Sequence, residues 1–384
     1  MNSPALPANP RILCVKLADI GDVLLCTPAL RALRTRYPGA RIDLLTPPSS
    51  AALLRNSPEI DEVLVFDKFA SDSLRSLLNP RTLLGAAQFL YGLGRRKYDA
   101  VLIFHQYTLR FGALKFAALA LASRARVRAG VDNGRGWFLT RRAPDGGFDA
   151  QHQADYWLDV AALVGAEARP ADRRLTIPVG ERDYSAAAAL LAELGLPGDG
   201  LLVAVHPGAG WYSTARRWPA EHFAALVAGL VRERGASVLL LGGPDEVRLA
   251  DDLRGLVPQA ERSAVHNVAG RTSPAGTAAL VQRCRLFIGN DSGPMHLATA
   301  VGTPVLAVFG LSNWRAFGPY VPSAPAGALI VRRDLPCMPC LYRGSDLGLR
   351  DGCGPRPCLT GLPPAEVLRA ATEILEGAAR AARV

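Results

Sequence analysis

The feature that most restricts what this 384-residue chain can fold into is a repeated alternation of short apolar runs and helical stretches. RILCVKL (11–17), RIDLLT (41–46), EVLVF (62–66), DAVLIF (99–104) and ARVRAG (125–130) are such runs, rich in β-branched residues. Runs this short and this apolar suit strands buried on both faces, and helical stretches between them argue for a parallel, doubly wound sheet. The pattern restarts after residue 180 with LLVAVH (201–206), SVLLLGG (237–243), RLFIGN (285–290) and TPVLAVFG (303–310). The chain is too long for one ordinary core and suits two domains of about 150 to 200 residues. The expectation is an α/β protein of two facing Rossmann-like domains, residues 1–175 and 176–362. An Ala-rich amphipathic helix over 363–384 is expected to pack back on the first.

Ligands of open α/β sheets bind outside the carboxyl ends of the strands. The loops leaving strands near residues 17, 206, 242 and 289 should therefore line a cleft between the two domains. No G-x-G-x-x-G follows the first strand, which leaves a dinucleotide dehydrogenase poorly supported. In HPGAGWYSTARRWP (206–219) small residues permit close backbone approach, and Ser213, Thr214, Arg216 and Arg217 arrive before a helix starting near Pro219. That combination suits a diphosphate; the alternative is a solvated loop with two surface arginines. In FIGNDSGPMHLATAVGTP (287–304), Asp291, Ser292, Gly293 and His296 sit where a strand hands over to a helix. They read either as a second anion site at a helix N-terminus or as a plain N-cap. In LGGPDEVRLADDL (241–253), Asp245 and Glu246 are candidates for ribose hydroxyls, or ordinary acids at a helix start.

The first such loop, LADIGDVLLCTPALRAL (17–33), places Asp22 where the first strand passes into a helix. A helix cap and a general base fit that position equally. Thr27-Pro28 either starts a new helix, with Thr27 capping it, or kinks a single one.

Formal net charge is +10, carried by 44 Lys and Arg of which only four are Lys, and it favours anionic partners. RNP-like aromatics, zinc-finger spacing and basic heptads are all missing, so nucleic acid is not expected. The N-terminus MNSPALPANP lacks a basic region followed by an apolar one, and the longest apolar run, FGALKFAALALAS, is interrupted by Lys115. A cytoplasmic protein follows. Cys14, Cys26 and Cys284 lie in apolar segments and read as core residues.

Three segments in this order resemble glycosyltransferase family 9, the ADP-heptose:lipopolysaccharide heptosyltransferases. They are KLADIGDVLLCTPALRALRTRYPGARIDLLT, HPGAGWYSTARRWPAEHF and GNDSGPMHLATAVGTPVLAVFG. The resemblance implies a GT-B fold and an inverting transfer without a catalytic cofactor, and no Asp-x-Asp pair is present. It places the family's catalytic base on Asp22 and its phosphate-binding Lys on Arg216. The family's Asp-Thr-Gly-x-x-His falls on Asp291-Ser292-Gly293-Pro294-Met295-His296. It further implies an ADP-heptose donor, an anionic lipid-linked core acceptor and peripheral contact with the cytoplasmic face of the inner membrane. A protein or another surface glycan as acceptor, and a nucleotide-sugar epimerase or binding protein, are the alternatives. Arg95, Arg96, Lys97, Arg110, Arg124, Arg126 and Arg128 are candidates to meet the acceptor and the membrane.

LPCMPCLYRGSDLGLRDGCGPRPCL, within residues 335–360, crowds Cys337, Cys340, Cys353 and Cys358 together. Four cysteines so close in a cytoplasmic protein read as a structural zinc or iron site. Protein-glycosylating relatives of the resembled family carry a cysteine-ligated iron in a comparable place.

Overall fold

A computed structural model of the chain describes residues 6–66, 80–108, 110–196, 200–322 and 327–381. Two compact units divide it, Met1–Arg174 and Leu175–Val384. In the first, β1 (Arg11–Val15), β2 (Arg41–Thr46), β3 (Glu62–Val65), β4 (Ala100–Ile103), β5 (Val127–Asp132) and β6 (Arg141–Pro144) form a parallel sheet ordered β3-β2-β1-β4-β5-β6. Its centre is β1, where Cys14 stands between Leu44 and Leu102. Leu13 and Val15 enter a core with Val101, Ile103, Phe116 and Leu119. Ile12 and Cys14, which point the other way along the pleat, are also fully buried.

The helical segment after β1 is two helices, Ile20–Leu24 and Thr27–Arg36. Pro28 lies in the first turn of the second, where its missing N–H has no partner to lose. Cys26, not Thr27, is the N-cap residue; Thr27 Oγ1 instead donates to the Leu24 carbonyl at 2.7 Å.

In the second unit β7 (Leu202–His206), β8 (Ser237–Leu240), β9 (Val265–Asn267), β10 (Leu286–Asn290), β11 (Val305–Val308) and β12 (Ala328–Val331) form another parallel sheet, ordered β12-β11-β10-β7-β8-β9. Counted from its own first strand, each sheet reads 3-2-1-4-5-6. Each therefore reverses direction between its first and fourth strands, the topological switch point where ligands of such sheets bind. The period of two is visible in β7. Val203 and Val205 pack with Trp218, Phe223 and Ile288, whereas Leu202 and Ala204 pack with Phe287 and Met295. The doubly wound α/β architecture is thus built twice.

The last helix, Pro364–Ala381, lies on helix Ala220–Arg234 and contributes Val367, Ala371 and Leu375 to the Trp218 core. Helix Ala220–Arg234 ends on Gly235 at φ +63°, a left-handed position that glycine reaches without strain. A small antiparallel hairpin, β13 (Leu341–Arg343) with β14 (Asp346–Gly348), occupies the cysteine-bearing segment.

Candidate active site

At the switch point of the first sheet, β1 gives way to Lys16 and then to the short helix that carries Asp22. Lys16 is 2% exposed. Its Nζ lies 3.3 Å from Asp22 Oδ1 and 4.3 Å from the centroid of the Trp157 ring. A compact ammonium fits between a π-face and one carboxylate oxygen, where a planar guanidinium would demand more room. The Asp22 side chain keeps 36% of its surface in solvent. The N-cap position of helix Ile20–Leu24 is Asp19, whose side chain makes no capping bond, and Asp22 lies in the first turn. Lys16 was no candidate from sequence, although a lone Lys closing an apolar strand in so Arg-rich a chain was the available signal.

Cys26, one turn beyond Asp22, is a packing residue. Burial pushes its thiol up to about 12, with Lys16 opposing and Asp22 adding to the shift. Burial likewise pushes Cys284 up to about 12 and Cys14 well above the ordinary range.

At the switch point of the second sheet one buried side chain ties three backbone segments together. Asn290, the last residue of β10, donates from Nδ2 to the carbonyls of Pro207 (2.9 Å) and Gly208 (3.0 Å). Its Oδ1 accepts from the Trp218 N–H at 3.0 Å. Both ends of the 207–218 loop are thereby fixed to β10. Sequence reasoning assigned Asn290 no role; a polar residue closing an otherwise apolar strand was the only hint.

Beside it runs a buried polar chain. His206 Nδ1 lies 3.0 Å from Ser292 Oγ, and His206 Nε2 lies 3.0 Å from Glu246 Oε2. Burial alone would raise the Glu246 pKa. The hydrogen bond and charge of His206, the Gly243 N–H and Arg217 outweigh it and hold the group at about 2. An ionised Glu246 only accepts, so the His206 Nε2 proton points toward it. Gly208 makes this packing possible, because a side-chain carbon there would overlap the Glu246 carboxylate and crowd His206. Glu246 is thus built into the loop, while Asp245 is exposed.

The two arginines differ in their commitments. Arg216 donates from Nη1 to Asp291 Oδ2 (3.1 Å), from Nη2 to the Ala209 carbonyl (2.6 Å) and from Nε to the Ser213 carbonyl (3.4 Å). Three directed bonds of this kind exploit the guanidinium fork and are beyond a lysine. Arg217 keeps 31% of its side chain in solvent and lies 3.9 Å from Glu246. Two guanidiniums thus face two carboxylates, and a diphosphate entering here would rely on directed N–H donors more than on net charge. Such donors stand at the start of helix Gly293–Ala300, whose N-cap residue Ser292 makes no side-chain capping bond. Thr214 is exposed at the start of the turn Thr214–Arg216, and His296, four residues past Ser292, is 4% exposed. Ser213 is turned away: its buried Oγ donates to the Arg350 carbonyl at 2.6 Å.

The expectation of a metal at Cys337, Cys340, Cys353 and Cys358 is not supported. Among the described residues no group of three or more His, Cys, Asp or Glu is placed to hold an ion. Cys337 and Cys353 are exposed, Cys358 is buried in the helix Pro357–Thr360, and Cys340 Sγ turns to the Cys337 carbonyl at 3.3 Å. The segment instead braces the 211–217 loop: besides the Ser213 bond, Arg350 donates to the Tyr212 carbonyl and Arg356 to that of Ala215 (3.3 Å). Of the basic candidates in the first unit, Arg96 pairs with Glu62 and buried Asp43, and Arg128 donates to the carbonyls of Phe138 and Ala125. The side chain of Arg110 lies outside the described residues.

Residues 87–349 match the model of glycosyltransferase family 9 (heptosyltransferase). The chain belongs to this family. It is a glycosyltransferase, as the family's other members are. Lipopolysaccharide heptosyltransferase 2 of Salmonella typhimurium is 24% identical over 311 residues, which cover 79% of this chain and 83% of that protein. A family 9 glycosyltransferase from Veillonella parvula superposes with a TM-score of 0.73 at 23% identity, covering 97% of this chain and 99% of the other. The ADP-heptose lipopolysaccharide heptosyltransferase II of E. coli gives 0.71 at 21% identity, covering 96% and 99%. At these identities the superpositions show a shared fold.

Proposed function

We propose that this family 9 glycosyltransferase moves a heptose from ADP-L-glycero-D-manno-heptose to a lipid-linked lipopolysaccharide inner-core acceptor, inverting the anomeric carbon. The observation that carries the mechanism is the half-exposed Asp22 carboxylate held by a buried ammonium at a sheet's switch point. An acceptor hydroxyl is a weak nucleophile. Asp22 takes its proton as the oxygen attacks the anomeric carbon, and the bond from that carbon to the β-phosphate oxygen breaks. One carboxylate suffices because no covalent glycosyl-enzyme is needed. The leaving ADP gains negative charge, which Arg217, Arg216 and the N–H groups at the start of helix Gly293–Ala300 offset. Lys16 is a positioning residue: its ammonium holds Asp22 Oδ1 at 3.3 Å and orients the carboxylate. Donor chemistry and acceptor class are supported by the names of the relatives, and the chain's surplus of cations suits an anionic core.

The test is to incubate purified enzyme with ADP-heptose and a panel of truncated core acceptors and to weigh the products. One acceptor should gain a single heptose, and Asp22→Asn should remain folded while its kcat falls by at least about a hundredfold. Near-normal turnover of that variant with both substrates saturating removes Asp22 from the role. Conversion of the donor sugar without acceptor overturns the transferase reading in favour of an epimerase.

A further inference from the structure

The sheet of the second unit gives the 207–218 loop two unlike flanks. In the order β12-β11-β10-β7-β8-β9, Glu246 follows β8 on one side of β7, and the cysteine-bearing segment lies off β11 on the other. That segment is tied to the chain leaving β11. The N–H groups of Cys340 and Leu341 donate to the Leu311 carbonyl at 2.8 and 2.9 Å, and Leu341 is fully buried in the Trp218 core. A nucleoside at Glu246 and a diphosphate at the switch point between β10 and β7 leave the β11 flank for the sugar beyond the second phosphate.

On that flank a row of rings leads out to the loop. Phe317 meets Tyr342 at 4.6 Å between centroids, Tyr342 stacks on Tyr212 at 6.4 Å and 16°, and Tyr212 meets Trp211 edge to face at 6.0 Å and 89°. Tyr342 holds φ at +61°, a left-handed conformation that costs free energy in a bulky residue. Burial of Leu341 beside it, its two ring contacts and the Asn313 amide donating to its carbonyl at 3.0 Å keep it there. Arg350 donates to the Tyr212 carbonyl, and its guanidinium carbon lies 5.1 Å from the Tyr212 ring centroid and 6.0 Å from that of Trp211.

The row ends on Trp211, which is 53% exposed. One exposed apolar side chain on a pliant loop would mean nothing. This loop is pinned at both ends by Asn290 and braced between them by Arg350 and Arg356, and a strained tyrosine stands two rings along from the indole. Rigid support of that kind is what a recognition surface requires. A sugar ring has C–H faces that an aromatic ring covers well and hydroxyl edges that seek donors. The exposed Arg350 guanidinium carries N–H groups beyond the one that meets Tyr212.

We propose that Trp211 and Arg350 form a wall that reads the sugar of the nucleotide-sugar donor, the indole against its C–H face and the guanidinium at its hydroxyls. Trp211 is then a specificity-determining residue for the transfer. The proposal rests on the nucleotide-sugar reading above and names the element that tells one donor sugar from another. Its readout is donor binding without acceptor, so failure of the acceptor assignment leaves it standing.

Calorimetric titration of wild type, Trp211→Ala and Trp211→Phe with ADP and with ADP-heptose tests it. Trp211→Ala should weaken ADP-heptose binding by at least about fivefold and leave ADP within about twofold, so that the ratio of the two Kd values changes. Trp211→Phe should restore most of that loss, and both variants should remain folded. Unchanged ADP-heptose affinity in Trp211→Ala overturns the proposal. So does an equal loss for ADP and ADP-heptose, which would make the indole a prop of the loop or a nucleoside contact. A raised acceptor KM at unchanged donor affinity also overturns it and puts the indole against the acceptor. A wild type that binds ADP but not ADP-heptose overturns the wall and the donor reading together.

Discussion

Glu246→Gln removes one charge from the His206 chain and keeps its shape. In the fold, His206, the Gly243 N–H and Arg217 lower the Glu246 pKa from 4.5 to about 2 against the opposing effect of burial. A carboxylate depressed this far contributes stability above its unfolded value of 4.5 and loses it as pH falls toward about 2. At neutral pH that contribution is about 3 kcal/mol, and the wild type should already have lost about 1.4 kcal/mol of it at about pH 3.5. The Gln variant cannot titrate there. It should start less stable and lose that much less on acidification than the wild type. Urea unfolding of both proteins at about pH 7 and about pH 3.5, followed by tryptophan fluorescence, reads the difference as a change in midpoint at constant slope. The buried Trp218 in the same unit serves as a reporter. Parallel losses for wild type and variant between the two pH values would refute the reasoning, because Glu246 would then carry no special stabilisation.

Lys16→Met keeps the volume beneath Trp157 and deletes the counter-charge of Asp22; kcat should fall by about 10- to 100-fold with donor KM little changed, as steady-state kinetics would show. Gly208→Ala forces a carbon into the Glu246 carboxylate and should cost about 1 to 3 kcal/mol, visible as a lower melting temperature. Asn290→Ala strands the Trp218 N–H and the carbonyls of Pro207 and Gly208; a loss of at least about 2 kcal/mol in urea, with raised donor KM, is expected.

The central strands were legible because β1, β7, β10 and β11 are buried on both faces and carry their own pattern. The edge strands β6, β9 and β12 were not. RRAP, VHN and ALIV are short and partly exposed, and are strands only because a neighbour pairs with them. The loops holding the candidate site were likewise legible, since each leaves the end of a recognisable strand. Their partnerships were not. Asn290 and Gly208 are 82 residues apart, and their bond exists because β10 pairs with β7. Arg216 was read as a ligand-facing cation, but its three bonds to the protein follow from where Asp291 and the Ala209 carbonyl come to rest. The cysteine spacing suggested a metal because spacing carries no information on burial, and here one thiol is buried while two are exposed.

The buried ammonium beside Asp22 also gives the enzyme a chemical fingerprint. Only four lysines exist in the chain, of which Lys97 is exposed, Lys115 half-buried and Lys16 closed off under Trp157. An amine-selective acylating reagent should therefore modify Lys97 in native protein long before Lys16. Mass spectrometry of a single proteolytic peptide then reports, without any substrate, whether the first sheet's switch point is intact in a given preparation or variant.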